Sequence, residues 1–429
     1  MSVRETGGAA GSGRATLGDL REDAESLRAR GASFACLVSA LGHPDLGQRS
    51  LLAHELQLEW SSSGGEPIAS LRAAARAAFG RGARGLLLLA THEALADLEA
   101  VPVHPDWKGL PRLQLWSAAA VREIRTDPAS GWGEARSKPS LEPLAHRSVA
   151  SAPSGLDEAW HAASVGQVRD AIAAGRLYQL CLTFPVHLRP PADPASLFAW
   201  LMSRHPVDHG AWLHLPGLEV FSASPERFVA LRGRDVVARP MKGTRRLTAQ
   251  TAEAAMRELA ASVKDRAENV MIADLVRNDL GRVCEAGSVR ADALWHVERY
   301  ASVAQMTSTI SGVLREGCDV FDLFAAAFPP GSMTGAPKVE ACRMIHELER
   351  GARGLYGGVI GWLEPSGDAA FSVVIRTLQV RHGEARWDIG GGIVHDSTAE
   401  SEWAEAQAKL GPLRDLLADA APGARREDP

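Results

Sequence analysis

Apolar residues recur at helical spacing in LDEAWHAASVGQVRDAIAAG, and Gly175 supplies a stop, so an amphipathic helix is predicted there. The stretch after it, LYQLCLTFPVHL, has strand composition. Residues 218–244 read as two strands joined by a turn at Arg232, Gly233, Arg234 and Asp235. A helix carrying acidic and basic residues is predicted over 251–276, and another over 316–328. FPPGSMTGAPK is a loop of Pro, Gly and small residues, with Pro337 suited to the first turn of a helix in VEACRMIHELER. GWLEPSGDAAFSVVIRTLQVRHGEARWDIGGGIV alternates strands and turns, and SEWAEAQAKLGPLRDLLADA closes the pattern as a helix. Strands in runs, punctuated by helices and without a repeat of fixed period, predict an α+β fold over a regular βαβ array.

Four segments follow. Residues 1–16 form a leader without an apolar core, expected to be flexible and not a signal peptide. Residues 17–126 are rich in Ala, Leu and Arg and carry few suggestive polar spacings. Residues 127–155 are dense in Pro, Ser and Gly and read as a linker or long surface loop, and 156–420 hold the motifs. Composition narrows the class: of 429 residues 45% are apolar and 23% charged, which excludes disordered and collagen-like chains. A net charge of −5 argues against a general nucleic-acid binder. The longest purely apolar run, residues 86–90, is far short of the roughly 20 residues of a membrane span. Five scattered cysteines without CxxC spacing fit a reducing compartment, so a cytoplasmic protein is expected.

Candidate chemistry centres on two helices, each with a carboxylate pair three residues apart. These are Asp265 with Glu268, and Glu402 with Glu405. Each pair shares a helix face, so two such helices facing one another would offer four side chains to one point. Oxygen ligands of this kind suit Mg2+, which keeps waters and takes a substrate oxygen as well. A solvated helix face is the ordinary fate of such carboxylates, and spacing alone does not carry a metal claim. Lys242, in RPMKGTRR, is either a nucleophile or a surface lysine with a snorkelling stem. Glu226, in SASPERF, comes within one rung of it across the 232–235 turn. A three-residue loop would put the two on one face of the sheet, a two-residue loop on opposite faces. Gly390, Gly391 and Gly392, and the GSMTGAP loop, could let backbone N–H groups approach an anion. Arg376 and Lys409 could grip carboxylates.

In order along the chain, YQLCLTFP, SASPERF, RPMKGTRR, KDRAENVMIADLVRNDLGRV, FPPGSMTGAPK, RGLYGGVIGWL, VVIRTL and GGGIVHDSTAESEWAEAQAKL resemble the chorismate-utilising enzymes. That family includes the large subunits of anthranilate and aminodeoxychorismate synthases, with isochorismate and salicylate synthases as cousins. The resemblance covers most of residues 175–411. It implies two stacked antiparallel β-sheets with outer helices and a deep central cleft. It also implies Mg2+ among Asp265, Glu268, Glu402 and Glu405, bridging an acidic cleft to the dianionic substrate chorismate. Tyr356, Arg376 and Lys409 match positions near the substrate carboxylates, and Thr244, Ser332 and the glycines 390–392 would complete the pocket. Aminodeoxychorismate synthases carry Lys at the position of Lys242, where anthranilate synthases carry Ala. The resemblance therefore implies amination of chorismate to 4-amino-4-deoxychorismate through a lysine adduct, with Glu226 as the acid, for para-aminobenzoate and folate synthesis. Ammonia would come from a separate glutamine amidotransferase subunit, and a separate lyase would take the product. Two departures stand out: Ala304 and Gln305 replace a histidine common in relatives, and RGARGLLLLATHEAL lacks the tyrosines of their GxxGYxSYE stretch.

Overall fold

A computed structural model describes residues 16–39, 49–62, 66–125, 157–248, 251–300, 303–411, 413 and 416. The leader up to residue 15 and the Pro/Ser-rich stretch 127–155 lie outside the described residues. The architecture is α+β, and among the described residues every strand pairing is antiparallel. From Gln179–Leu188 the ladder runs through Glu384–Ile393, Thr377–Arg381, Leu218–Ser224 and His209–Leu215 to Phe34–Val38. There it turns into a second half through Arg49–Ser61, Leu113–Arg125, Gly85–Ala90, Val359–Leu363, Ala369–Val373, Arg227–Arg232 and Asp235–Arg239. Val303–Val313 closes it, pairing also with Met241–Arg246 and Arg290–Arg299.

The two stacked layers are thus halves of one ladder folded back on itself. Leu213, Leu215 and Val220 of the first half share a core with Leu87, Leu89, Ile360 and Trp362 of the second. The strand GLLLLA shows why the sequence demands this. Its alternate residues Leu86, Leu88 and Ala90 face helices Pro67–Gly80 and Val320–Ala327, while Leu87 and Leu89 face the other layer, so both faces are buried. Across the sandwich, Phe34, Trp212 and Phe221 meet Leu20, Leu197 and Phe198 of helices Leu17–Ala29 and Pro194–Arg204. At about 25 cal/mol per Å2, such double-sided burial is the dominant stabilising term.

Four local expectations change. Residues 218–244 form four strands, because Pro225–Glu226 and Pro240 interrupt the two predicted ones; Pro lacks the N–H a ladder needs. The helix predicted over 251–276 divides into Ala252–Ala261 and Val263–Gly281. Ser262 N-caps the second of these, its hydroxyl accepting from the Asp265 N–H at 3.3 Å. The helix predicted from 316 starts at Val320, where Asp319 and Asp322 form a capping box. Finally, Gly390, Gly391 and Gly392 are strand residues opposite Thr183, Leu182 and Cys181, not a loop.

Candidate active site

The turn at 232–235 is a two-residue loop, with Arg232 opposite Asp235. On a regular ladder that would put Glu226 and Lys242 on opposite faces. Register shifts between Arg227 and Ala230 and between Met241 and Thr244 break the alternation, and the two side chains act on each other electrostatically. Glu226, in the link between Leu218–Ser224 and Arg227–Arg232, is 5% exposed. Its Oε1 accepts a 2.6 Å hydrogen bond from the Ser332 hydroxyl, in the tight turn Gly331–Met333. Burial pushes its pKa from 4.5 to about 7, against the opposing pull of Ser332, Lys242 and Arg376. This is a carboxyl able to hold a proton near neutral pH. Arg376 has a left-handed backbone (φ 51°), and its pKa is lowered by burial against the opposing effects of Tyr300 and Glu226. Among the described residues no carboxylate lies within ion-pair distance of Arg376, which leaves its fork for an anion.

Lys242 faces the triple-glycine strand. A Cβ placed on Gly392 would sit 3.0 Å from Lys242 Nζ and 2.9 Å from Gln179 Nε2. One placed on Gly391 would sit 3.3 Å from Glu402 Oε2, 3.5 Å from Glu405 Oε1 and 3.7 Å from Lys409 Nζ. The glycines therefore serve by leaving room for these side chains, Gly392 on one face of the strand and Gly391 on the other. Lys409 donates to the Gly390 carbonyl at 2.7 Å and pairs with Glu405 at 2.8 Å. Burial works against the Lys409 ammonium, but Glu405, Cys181 and Glu402 together outweigh it and the pKa is raised; Glu405 is lowered in turn, chiefly by Lys409. Glu268 is raised by burial, with Lys242 and Lys264 opposing and Glu405 and Asp265 adding.

All four expected metal ligands are in electrostatic contact here, Glu268 with Asp265 and Glu405, and Glu402 with Glu405. Two of them are already ion-paired, Asp265 with Arg245 and Glu405 with Lys409, each at 2.8 Å. Gly243, at φ 87°, lets the helix come so close to Met241–Arg246 that a Cβ there would lie 2.9 Å from Asp265 Oδ1. Glu402 is 3% exposed; its Oε1 accepts from the Ser397 hydroxyl at 2.6 Å, while Oε2 is buried without a partner. Burial raises its pKa. Among the described residues no three acidic, histidine or cysteine side chains form a ready-made metal cage. An orphaned carboxylate oxygen beside two further carboxylates nonetheless fits a hard cation that keeps waters and takes a substrate oxygen.

Tyr356 is buried close to Cys181, and burial drives its phenol well up in pKa. Thr244 is exposed and donates to Gln305 Oε1 at 3.1 Å, while Gln305 Nε2 donates to the Gly243 carbonyl at 3.1 Å. Gln305, one of the two residues that stand where relatives carry a histidine, therefore braces the lysine strand. Gln179 was missed. It is fully buried beside Gly392 and Lys242, with both amide atoms lacking partners. The available signal was a polar residue set in an otherwise apolar strand, LYQLCL.

A protonatable carboxyl beside a lysine and a guanidinium, and carboxylates in electrostatic contact with the same lysine, are the groups that an enzyme site for a small anionic substrate requires. Residues 81–415 match the family model described as chorismate binding enzyme. The chain is 42% identical over 258 residues to an aminodeoxychorismate synthase of Streptomyces griseus, covering 59% of this chain and 36% of that protein. It is 34% identical over 365 residues to anthranilate synthase component 1 of Mycobacterium bovis, covering 80% and 69%. Against aminodeoxychorismate synthase component 1 of Bacillus subtilis it is 38% identical, covering 59% and 54%. The chain thus spans little more than a third of the Streptomyces griseus relative and about half of the Bacillus one. In fold it matches anthranilate synthase component I from Streptococcus pneumoniae, with a TM-score of 0.70 at 22% identity over 84% of this chain and 91% of that one. The chain belongs to the chorismate-binding enzyme family. Among the described residues no helix is long and apolar enough to cross a membrane.

Proposed function

We propose that the protein is the chorismate-aminating component of an aminodeoxychorismate synthase, converting chorismate and ammonia to 4-amino-4-deoxychorismate and water. The observation that carries this reading is Lys242, directed at the glycine strand within electrostatic reach of the protonatable Glu226. The Lys242 amine adds at one end of the ring diene. The hydroxyl at the other end takes the Glu226 proton and departs as water. Ammonia adds where the hydroxyl stood and expels the lysine as a neutral amine. The new ring ammonium then returns a proton to Glu226, closing the cycle. Arg376 orients a substrate carboxylate, and Ser332 holds the Glu226 carboxyl toward the ring. Glu268, Glu402 and Glu405 would hold Mg2+, which when bound supplies positive charge opposite the ring carboxylate. A separate glutamine amidotransferase would supply the ammonia, a separate lyase would use the product, and the setting would be the cytoplasm.

The anthranilate synthase relative covers more of this chain, so anthranilate formation is the competing reading. Incubation with chorismate, Mg2+ and an ammonium salt, followed by chromatography and mass analysis, separates the two. Aminodeoxychorismate is expected, and is lost in Lys242→Ala. Anthranilate or isochorismate as product, or full amination by Lys242→Ala, would overturn the assignment.

A further inference from the structure

Arg353 touches none of the reacting groups, yet it is 2% exposed and all three of its guanidinium nitrogens are engaged. Nε and Nη2 form a fork on Glu349, at 2.8 and 2.6 Å. Nη1 donates to the Met333 carbonyl at 2.6 Å, and Nη2 also donates to the Cys181 carbonyl at 2.8 Å. Met333 follows Ser332, whose hydroxyl binds Glu226. Cys181 lies opposite Gly392, against which Lys242 rests. A single cation thus ties the turn that holds the acid to the strand that backs the lysine. The same two walls are also joined by the Cys181 N–H donating to the Thr334 carbonyl at 2.7 Å, by the Tyr178 N–H donating to the Ala336 carbonyl at 2.8 Å, and by the short pairing of Gly335 and Ala336 with Leu180 and Gln179, but Arg353 supplies the side-chain tie to Met333, the residue next to Ser332.

The surroundings keep that cation in place. Glu349 Oε1 also accepts from the Thr183 N–H and hydroxyl at 2.8 and 2.9 Å, fixing the fork to the same strand. The Arg353 backbone N–H donates to Glu93 Oε1 at 2.7 Å, and the Gly354 N–H donates to Glu93 Oε2 at 3.1 Å. Glu93 comes from the divergent N-terminal segment, just past Gly85–Ala90. A planar fork can hold a carboxylate and two carbonyls at fixed angles, and a lysine ammonium cannot.

We infer that Arg353 is a positioning residue that sets the separation of the acid from the lysine by bracing the Ser332 turn against the Gln179–Leu188 strand. This inference rests on the proposed roles of Glu226 and Lys242. It is independent of which product forms, because a misplaced acid slows any loss of the ring hydroxyl.

The test is a double-mutant cycle with Arg353→Lys and Ser332→Ala, reading chorismate consumption against pH with Mg2+ and ammonium. Circular dichroism establishes that each variant is folded, and Glu349→Gln, which loosens the fork and keeps the arginine, stands in if Arg353→Lys is not. If Arg353 acts through Ser332, Arg353→Lys lowers kcat by on the order of 100-fold. It also moves the alkaline limb to higher pH, as Ser332→Ala does, because the hydrogen bond that lowers the Glu226 pKa is weakened. Adding it to Ser332→Ala then produces little further change. Independent multiplicative losses, or a fall in kcat with the limb unmoved in Arg353→Lys and in Glu349→Gln, would overturn the inference. Product identity is measured alongside, so a different product rejects the proposed function without touching this result.

Discussion

Replacing Glu226 with Gln removes the proton and keeps both the shape and an acceptor for Ser332. Burial lifts the pKa of Glu226 from 4.5 to about 7. At 1.36 kcal/mol for each pKa unit, the folded protein disfavours the ionised form by about 3 kcal/mol. The sign follows from linkage. A carboxyl whose folded pKa is raised is neutral in both states below pH 4.5 and carries no penalty there. The penalty grows as pH rises from 4.5 to about 7, and it is constant above that. Glu226→Gln should therefore leave stability nearly unchanged at acid pH and raise it by up to about 3 kcal/mol on the alkaline side. Denaturant unfolding at the two pH extremes reads that difference. The same variant should lose a factor of about 100 to 10,000 in kcat, together with the alkaline limb near the pKa of the acid. A Glu226→Gln protein with the wild-type pH profile, or one with no extra stability at alkaline pH, would refute the view of this residue as a buried, strained acid.

Two further outcomes are expected. Gly392→Ala puts a methyl 2.9 Å from Gln179 Nε2 and 3.0 Å from Lys242 Nζ, contacts with the ends of two side chains, whereas Gly390→Ala meets the Leu182 backbone carbonyl at 2.2 Å. The first should lose activity by about 10-fold or more with little change in melting temperature, and the second should unfold more easily; equal loss of stability in both would contradict the packing argument. Removing the buried, partly unpartnered charge in Glu402→Gln should raise stability without metal and abolish the stabilisation by Mg2+, which is about 2.7 kcal/mol at 100 times the dissociation constant. Asp265→Asn should keep most of that response because Asp265 already serves Arg245; the opposite ranking in a Mg2+ titration of melting temperature would show that the ligand set has been misread.

Much of the molecule follows from local chemistry. Gly175 ends a helix because its φ of 75° suits glycine, and Gly233, at 59°, turns the hairpin for the same reason. The Ser262 cap, with an acid three residues on, was also present in the sequence but hidden inside a pattern that reads as one long helix. The class of site was legible too, since Lys242, Glu226 and the carboxylate pairs lie in motifs whose order along the chain carries the resemblance. Their meeting was not legible. Whether Glu226 and Lys242 share a face depends on two register shifts, and an apolar pattern of period two does not record an extra residue in one strand. How near the Asp265 helix comes to the lysine strand was decided at Gly243, and the orphaned oxygen of Glu402 exists only once the sandwich closes over it. The sequence by itself determined the elements, their sidedness and the kinds of reactive group, because propensity and burial pattern act within a few residues. Only the tertiary structure decided the spacing of those groups, the pKa of Glu226 and the brace at Arg353, because these arise from desolvation and contacts between segments far apart in the chain.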